Sequence, residues 1–127
     1  MTKRRGTRRV PDPVAWMRRV CGGLPGVMEV EAWGHPTFRL GGRTFAAVEL
    51  YKKRPCFAIS AEVDEQEVLI RRFGFFKSPY VGNRGWVSIW VDEPVPAGII
   101  KDLLKRAHRR LERAESQAIA RRKRTAV

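Results

Sequence analysis

The sequence predicts an α+β fold in which an antiparallel sheet of about five strands is packed by an N-terminal, a middle and a C-terminal helix. Three observations lead to this fold class. Apolar residues recur at helical spacing near both ends of the chain, whereas residues 27–60 alternate with a period of two. Short turns join the alternating segments, which favours an antiparallel meander. A length of 127 residues suits one domain.

The first helix is predicted to begin at Pro13. The Asp12 side chain can accept hydrogen bonds from the free amides of the first turn, and proline suits the first helical position. Apolar residues then follow on one helical face as far as Leu24. The glycines and proline at 22–26 end the helix.

Five strands are predicted, at about 27–32, 36–41, 43–51, 55–60 and 86–91. Gly41-Gly42 forms the turn between the second and third strands. Lys52, Lys53 and Arg54 form the tip of the next hairpin. Because successive turns alternate between the ends of a meander, we expect these two turns to lie at opposite ends of the sheet.

The middle helix is predicted at about 64–72, with acids in its first turn and arginines in its last. The final helix is predicted to begin at Pro96 or Ala97. Its apolar face weakens to alanine after Leu111, so we expect it to project or fray there. The chain is therefore divided into a basic tail over 1–11, an α+β domain over 12–114 and a second basic tail over 115–127.

The net charge of +13 comes from 26 Lys and Arg against 13 Asp and Glu, and it is concentrated at the ends. Residues 1–9 hold five bases and no acid, and residues 101–127 hold ten bases and three acids. The residues between are nearly neutral. This distribution is typical of a protein that meets a polyanion, although basic ends can also act only as solubilising tails.

No catalytic or metal site is predicted, and so neither enzymatic activity nor a cofactor is expected. Cys21, His35, Cys56 and His108 are scattered, without the short spacings of metal ligands. His35 has no carboxylate partner that the sequence indicates, so we interpret it as a turn or strand-edge residue bonded locally.

A cytoplasmic location is the expectation. Two cysteines do not make a disulfide framework, and the basic N-terminal residues are not followed by an apolar signal segment. No apolar run approaches the length of about 18 residues that a membrane span needs.

The candidate nucleic-acid contacts are Lys and Arg residues of the ends, the turns and the last helix. In chain order they are Lys3, Arg4, Arg5, Arg8, Arg9, Arg39, Arg43, Lys52, Lys53, Arg54, Arg84, Lys105, Arg109, Arg113, Arg121, Arg122, Lys123 and Arg124. Trp86 and Trp90 share one face of the fifth strand. We expect both indoles to be buried between sheet and helix, with base stacking as the alternative if they are exposed.

The sequence also resembles the MmcQ/YjbR family over about residues 13–113. The resemblance is carried by LPGV at 24–27, WGHPTFR at 33–39 followed by GG at 41–42 and FA at 45–46, PY at 79–80 and GWV at 85–87. It implies a compact fold similar to the frataxin-like CyaY arrangement. It also implies DNA binding, because members are described as binding DNA through a double-wing surface. The family brings no catalytic residue to this chain.

Three functional hypotheses follow. The main one is a non-enzymatic nucleic-acid binder, with DNA favoured over RNA as the partner, that contacts phosphates without reading sequence. The second is a protein-binding or structural adaptor. The third is an enzyme or small-molecule binder around His35. A concave pocket that collects His35, Glu31 and Trp33 would favour the third, and a flat apolar patch would favour the second.

Overall fold

A computed structural model describes residues 6–125 and confirms the predicted α+β class. The helices within this range are α1 (Pro13–Gly22), α2 (Val63–Phe73) and α3 (Ala97–Thr125). The strands are β1 (Thr7–Arg8), β2 (Met28–Ala32), β3 (His35–Leu40), β4 (Arg43–Tyr51), β5 (Arg54–Ile59), β6 (Phe76–Lys77), β7 (Val87–Trp90) and β8 (Val95–Pro96). A short 3-10 helix spans Gly82–Arg84.

Six strands form one antiparallel sheet in the order β2-β3-β4-β5-β7-β6, while β1 pairs with β8. The predicted meander is present as β2 to β5, and the predicted fifth strand is β7. The sixth strand, β6, has two residues, which is too short for an alternating pattern to reveal.

The pairing of β3 with β4 contains an irregularity. Next to the turn, Arg39 lies opposite Thr44, but Phe38 lies opposite Ala46. Phe45 is therefore the additional residue of a β-bulge on β4. Beyond the bulge, every residue of β3 faces a partner one position further along β4 than an uninterrupted hairpin would give it.

One face of the sheet carries the hydrophobic core. Phe38, Val48, Phe57 and Ile59 point from the strands toward the helices and are buried there. The Trp16 ring of α1 stacks on the Phe57 ring with centroids 5.5 Å apart. From α3, Ile100, Leu103 and Leu104 fill the same layer. Burial of these side chains fixes which face of the sheet remains open.

The start of α1 is as predicted, because Asp12 accepts a hydrogen bond from the Ala15 amide at 3.1 Å. Of the two expectations for α3 after Leu111, projection and fraying, fraying is not seen, because the helix runs to Thr125 with its last turns exposed. Ala114 and Ala118 still face the β3–β4 turn at Gly41. Strong helix formers such as Ala, Gln, Arg and Lys dominate the remainder.

Part of the N-terminal tail packs on the body. Thr7–Arg8 pairs with Val95–Pro96, and the Val10 side chain is buried. In the part of the chain that the structure covers, no helix combines the length and apolar character required to cross a membrane.

Candidate nucleic-acid interface

The open face of the sheet, opposite the helices, holds a groove of about 990 Å³. Its floor is made of small side chains on three adjacent strands: Thr37 of β3, Ala47 of β4 and Ala58 of β5, which are paired across the sheet. Alternation along a strand places these residues on the face that the core does not use. Because they are small, the groove is concave where larger residues would fill it.

Aromatic side chains stand around this floor. Trp33, in the β2–β3 turn, comes from one edge of the sheet, and Tyr80, in the loop after β6, comes from the other edge. Both are almost completely exposed, Trp33 at 95% and Tyr80 at 100%. Tyr51 and Trp86 also line the groove and are half-buried.

Three of the predicted phosphate contacts, Arg39, Arg43 and Arg84, line the same groove. Arg39 is held in place because its Nε donates to the Thr37 hydroxyl oxygen at 3.1 Å. Among the residues that line the groove, all within the described part of the chain, Glu49 is the only carboxylate. The groove is therefore cationic as well as aromatic.

The interpretation of His35 as lacking a carboxylate partner is wrong. His35 Nε2 lies 3.5 Å from Glu49 Oε2, and both side chains are about 30% exposed at the groove. Glu31, which the sequence analysis grouped with His35 in a possible pocket, does not line the groove. Glu29, its neighbour on β2, accepts two hydrogen bonds from Arg18, which lowers the pKa of that carboxyl group.

The expected burial of Trp86 and Trp90 between sheet and helix is also wrong, since both lie on the open face. Trp90 stacks on Phe76 at 4.6 Å and on Tyr51 at 6.0 Å between ring centroids. The guanidinium carbon of Arg54 lies 4.1 Å from the centre of the Trp90 ring. The small core on the helical side is already filled by Trp16 and phenylalanines. Trp90 packs with Tyr51 and Phe76 on the open side instead, and Trp86 lines the groove there.

Of the three cations predicted at the hairpin tip, Lys52 and Lys53 are available to a ligand, whereas Arg54 is paired with acids. Arg54 Nε donates to Asp92 Oδ2 at 2.8 Å, and Arg54 Nη2 donates to Glu93 Oε2 at 2.8 Å. The hydrogen bond from Arg54 lowers the pKa of Asp92, and the two contacts together commit Arg54 to two acids. Lys52 and Lys53 are exposed and make no ion pair with the described residues, and the Lys52 amine lies 5.4 Å from the Tyr51 ring.

Three of the predicted cations of α3 lie on the other side of the molecule, whereas Arg122 borders a small depression together with Arg43 of the groove. Lys105, Arg109 and Arg113 are exposed on the outward side of this helix, away from the sheet. Lys105 borders a depression over Trp16 together with Lys101, Arg8 and Arg19. Because this depression lies outside the helical layer, the structure does not bring these cations together with those of the groove.

The remaining predicted contacts belong to the ends. Arg9 is exposed near α1, and Arg121, Arg122, Lys123 and Arg124 are exposed on the last turns of α3. Lys3, Arg4 and Arg5 lie outside the described residues. The β4 strand separates the Gly41-Gly42 turn from the Lys52-Lys53 turn, as predicted.

The thiols and the second histidine are buried. Burial raises the pKa of Cys21 and of Cys56 to about 12, and for Cys56 the nearby Glu49 adds to the effect. His108 is buried, and its Nε2 lies 2.6 Å from the Pro25 carbonyl oxygen. Over residues 6–125, no group of three or more His, Cys, Asp or Glu could hold a metal ion.

From the sequence, Trp33 was placed only in a possible pocket around His35, and neither the position of Tyr80 nor the exposure of either ring was predicted. One signal was available for Trp33: the Trp-Gly dipeptide between two predicted strands indicates a two-residue turn, whose side chains point to solvent. Tyr80 follows a proline in an irregular segment, where no periodicity exists to place it.

The fold and groove together define an α+β protein with helices on one face of its sheet and an open, grooved face on the other. A model of the YjbR family matches residues 22–110, so the chain belongs to the YjbR family, and the resemblance in its motifs is confirmed. No curated protein matches the chain. Its structure is similar to the crystal structure of the Deinococcus radiodurans protein DR2400, which has a DUF419 domain. That likeness has a TM-score of 0.64 and 20% identity over 75% of each chain, and it therefore shows the fold alone.

Proposed function

We propose that the protein binds nucleic acid without catalysing a reaction, and that the groove on the open sheet face is its principal contact surface. The observation that carries this proposal is the convergence of Arg39, Arg43 and Arg84 in one concave site. The phosphate backbone supplies the sequence-independent part of nucleic-acid affinity, and arginine is well suited to phosphate oxygens.

Two of these arginines are available to a ligand. Arg43 and Arg84 are exposed and form no ion pair with any residue of the described chain. An arginine already paired with a carboxylate would have to give up that partner before it bound a phosphate. Arg43 and Arg84 have no such penalty, which favours them as contacts.

A salt-titrated binding assay on single-stranded and duplex DNA and RNA tests the proposal. Arg43→Gln/Arg84→Gln removes two positive charges without touching the core. On single strands the slope of log K against log salt should become shallower by about 0.7 for each phosphate that is no longer neutralised.

Arg71→Gln/Arg72→Gln is the matched control, because it removes the same charge from the exposed last turn of α2, away from the groove. Its slope should stay close to that of the wild type. Equal slopes for the two double variants would exclude the groove as the contact surface. If the unmodified protein does not bind at low salt, the nucleic-acid function is excluded and the hypothesis of a protein-binding adaptor is favoured.

A small-molecule site around His35 is the second candidate, and the His35–Glu49 pair inside a groove of this size is the observation that favours it. Pockets for small ligands have volumes of about 300–1,000 Å³. A thermal-shift screen of mononucleotides and sugar phosphates tests this candidate. The small-molecule candidate is supported if a ligand raises the melting temperature of the wild type but does not raise that of His35→Asn.

A further inference from the structure

Trp33 and Tyr80 are the two most exposed aromatic side chains of the described residues, and they stand on opposite rims of the groove. Large apolar rings are normally buried because removing their surface from water stabilises the fold. Trp33 and Tyr80 leave an indole and a phenol ring in water on the rims of one concave site. This arrangement is typical of a ligand-binding surface.

Backbone conformation makes both positions unusual. Trp33 has φ 55° and Tyr80 has φ 67°, in the left-handed region that bulky residues avoid. Trp33 and Gly34 form a two-residue turn between the paired residues Ala32 and His35. Turns of this kind favour Asn-Gly, so tryptophan is a strained choice there. Strain of this sort persists at sites where function requires it.

The exposure of these two rings is not relieved by stacking within the described chain. Neither ring stacks on another ring within residues 6–125. Tyr51 and Trp90 differ in this respect, because they stack in a cluster with Phe76. The faces of Trp33 and Tyr80 remain available to a planar ligand.

We propose that Trp33 and Tyr80 are stacking platforms for unpaired nucleobases, so that the groove prefers single-stranded nucleic acid to duplex. This inference rests on the proposed function, to which it adds the class of ligand. In a duplex the faces of the bases are covered by their neighbours, and only an unpaired base can lie on an aromatic ring. Arg43 and Arg84 at the same groove would hold the phosphates of that strand.

Asparagine substitutions at both positions separate binding from folding. Asn tolerates positive φ, so Trp33→Asn and Tyr80→Asn should leave the melting temperature unchanged or raise it. A weaker affinity then reflects the missing aromatic ring and not a damaged fold. Val68→Asn is the control, because it removes an exposed apolar side chain, 48% accessible, from α2.

The probes are a thymidylate oligomer of about 16 nucleotides, an abasic oligomer of the same length and a duplex. The wild type should bind the thymidylate oligomer more tightly than either of the others. Each asparagine variant should weaken that binding by between about fivefold and about 150-fold. Trp33→Phe should retain most of the affinity, and no variant should change affinity for the abasic strand.

The outcomes distinguish this inference from the function on which it rests. Equal affinity for the thymidylate and abasic oligomers, or a preference for duplex, would overturn base stacking and leave phosphate binding in place. Unaltered affinity of the Trp33→Asn/Tyr80→Asn double variant for the thymidylate oligomer would also overturn base stacking. Failure of the wild type to bind any of the three probes would overturn both.

Discussion

His35 Nε2 lies 3.5 Å from Glu49 Oε2, across the pair of strands β3 and β4. The two residues lie two positions beyond the cross-strand pair Thr37–Ala47, and so they share the open face of the sheet. The pair places one carboxylate among the arginines of the groove. A ligand with phosphates would meet that carboxylate as an unfavourable charge.

The first prediction follows from this placement. Glu49→Gln removes the carboxylate while keeping its shape, and so the affinity for a single-stranded oligomer should rise at low salt. Two unit charges about 4 Å apart in water interact with an energy of about 1 kcal/mol. Removing that repulsion corresponds to an increase in affinity of about fivefold. The gain should shrink as salt screens the interaction.

His35→Asn is the companion variant, because it removes the imidazole and leaves Glu49 in place. We expect its affinity to stay within about threefold of the wild type. A larger decrease would assign His35 a direct contact with the ligand. An unchanged affinity for Glu49→Gln would place the phosphates outside the groove.

The sequence could not have paired these two residues, because the bulge at Phe45 decides the pairing. In an uninterrupted hairpin closed by Gly41-Gly42, His35 would lie opposite Val48, and Glu49 would point to the other face. The bulge shifts the register by one residue and so brings Glu49 beside His35. A bulge shifts the phase of alternation, but residues 45–48 are all apolar, so the pattern of β4 does not show the shift.

Other parts of the fold could be predicted because local signals suffice for them. The Asp12 cap, the meander and the acidic start of α2 depend on neighbouring residues. The environments of Trp86 and Trp90 depend instead on which sheet face the helices cover. Alternation shows that residues share a face but not which face becomes the core.

The hairpin tip gives a second prediction. Lys52 and Lys53 form a two-residue turn with φ 52° and 64°, where Asn-Gly is preferred. Lys52→Asn/Lys53→Gly should therefore raise the melting temperature while it removes two cations beside Tyr51. The slope of log K against log salt on single strands should fall by about 0.7 for each phosphate that these lysines neutralise in the wild type.

Thermal melting and salt titration of the same variant check this prediction. A higher melting temperature with an unaltered slope would mean that the tip does not touch the ligand. A lower melting temperature would contradict the turn assignment.

A third prediction concerns Arg54 and Asp92. The guanidinium holds the pKa of Asp92 below its ordinary value, so the ionised pair stabilises the fold above the unfolded pKa of about 3.9. That stabilisation is lost as the pH falls through the lower, folded pKa. Arg54→Met should accordingly melt below the wild type at neutral pH, and the difference should narrow in acid.

Melting curves from pH 7 to pH 3 measure this difference, and some of it should persist in acid because Arg54 also stacks on Trp90. Arg71→Met is the control, because Arg71 and its partner Glu67 are both more than 70% exposed. A difference that does not depend on pH would assign the whole effect to stacking.

The two thiols provide a fourth prediction. Because the pKa of Cys21 and Cys56 is raised to about 12, only about one thiol in 10⁴ is ionised at pH 8. An aromatic disulfide reagent should leave both unmodified in the native protein and react with both in denaturant. Rapid native reaction at Cys56 would show that the sheet opens beside Glu49.

The last prediction concerns the two ends, which contain nine candidate cations. Deletion of residues 1–9 and 115–127 removes Lys3, Arg4, Arg5, Arg8, Arg9, Arg121, Arg122, Lys123 and Arg124. It also removes β1 and the last turns of α3, but it retains the buried Val10 and the helix as far as Ala114, including Leu111 of its apolar face. The remaining body should unfold cooperatively at a somewhat lower temperature.

If half of these cations meet phosphates, the salt slope on single strands should fall by about three, and on duplex DNA by about four. Replacing the same nine residues with glutamine in the full chain separates the effect of charge from the effect of a shorter helix, and it should give the same change in slope. The groove predicts a second result, which is that the truncated body still binds the thymidylate oligomer more tightly than its abasic counterpart. If the truncated body keeps the full salt slope, the ends are not part of the contact surface. If it loses the preference for the thymidylate oligomer over the abasic one, the groove does not act alone.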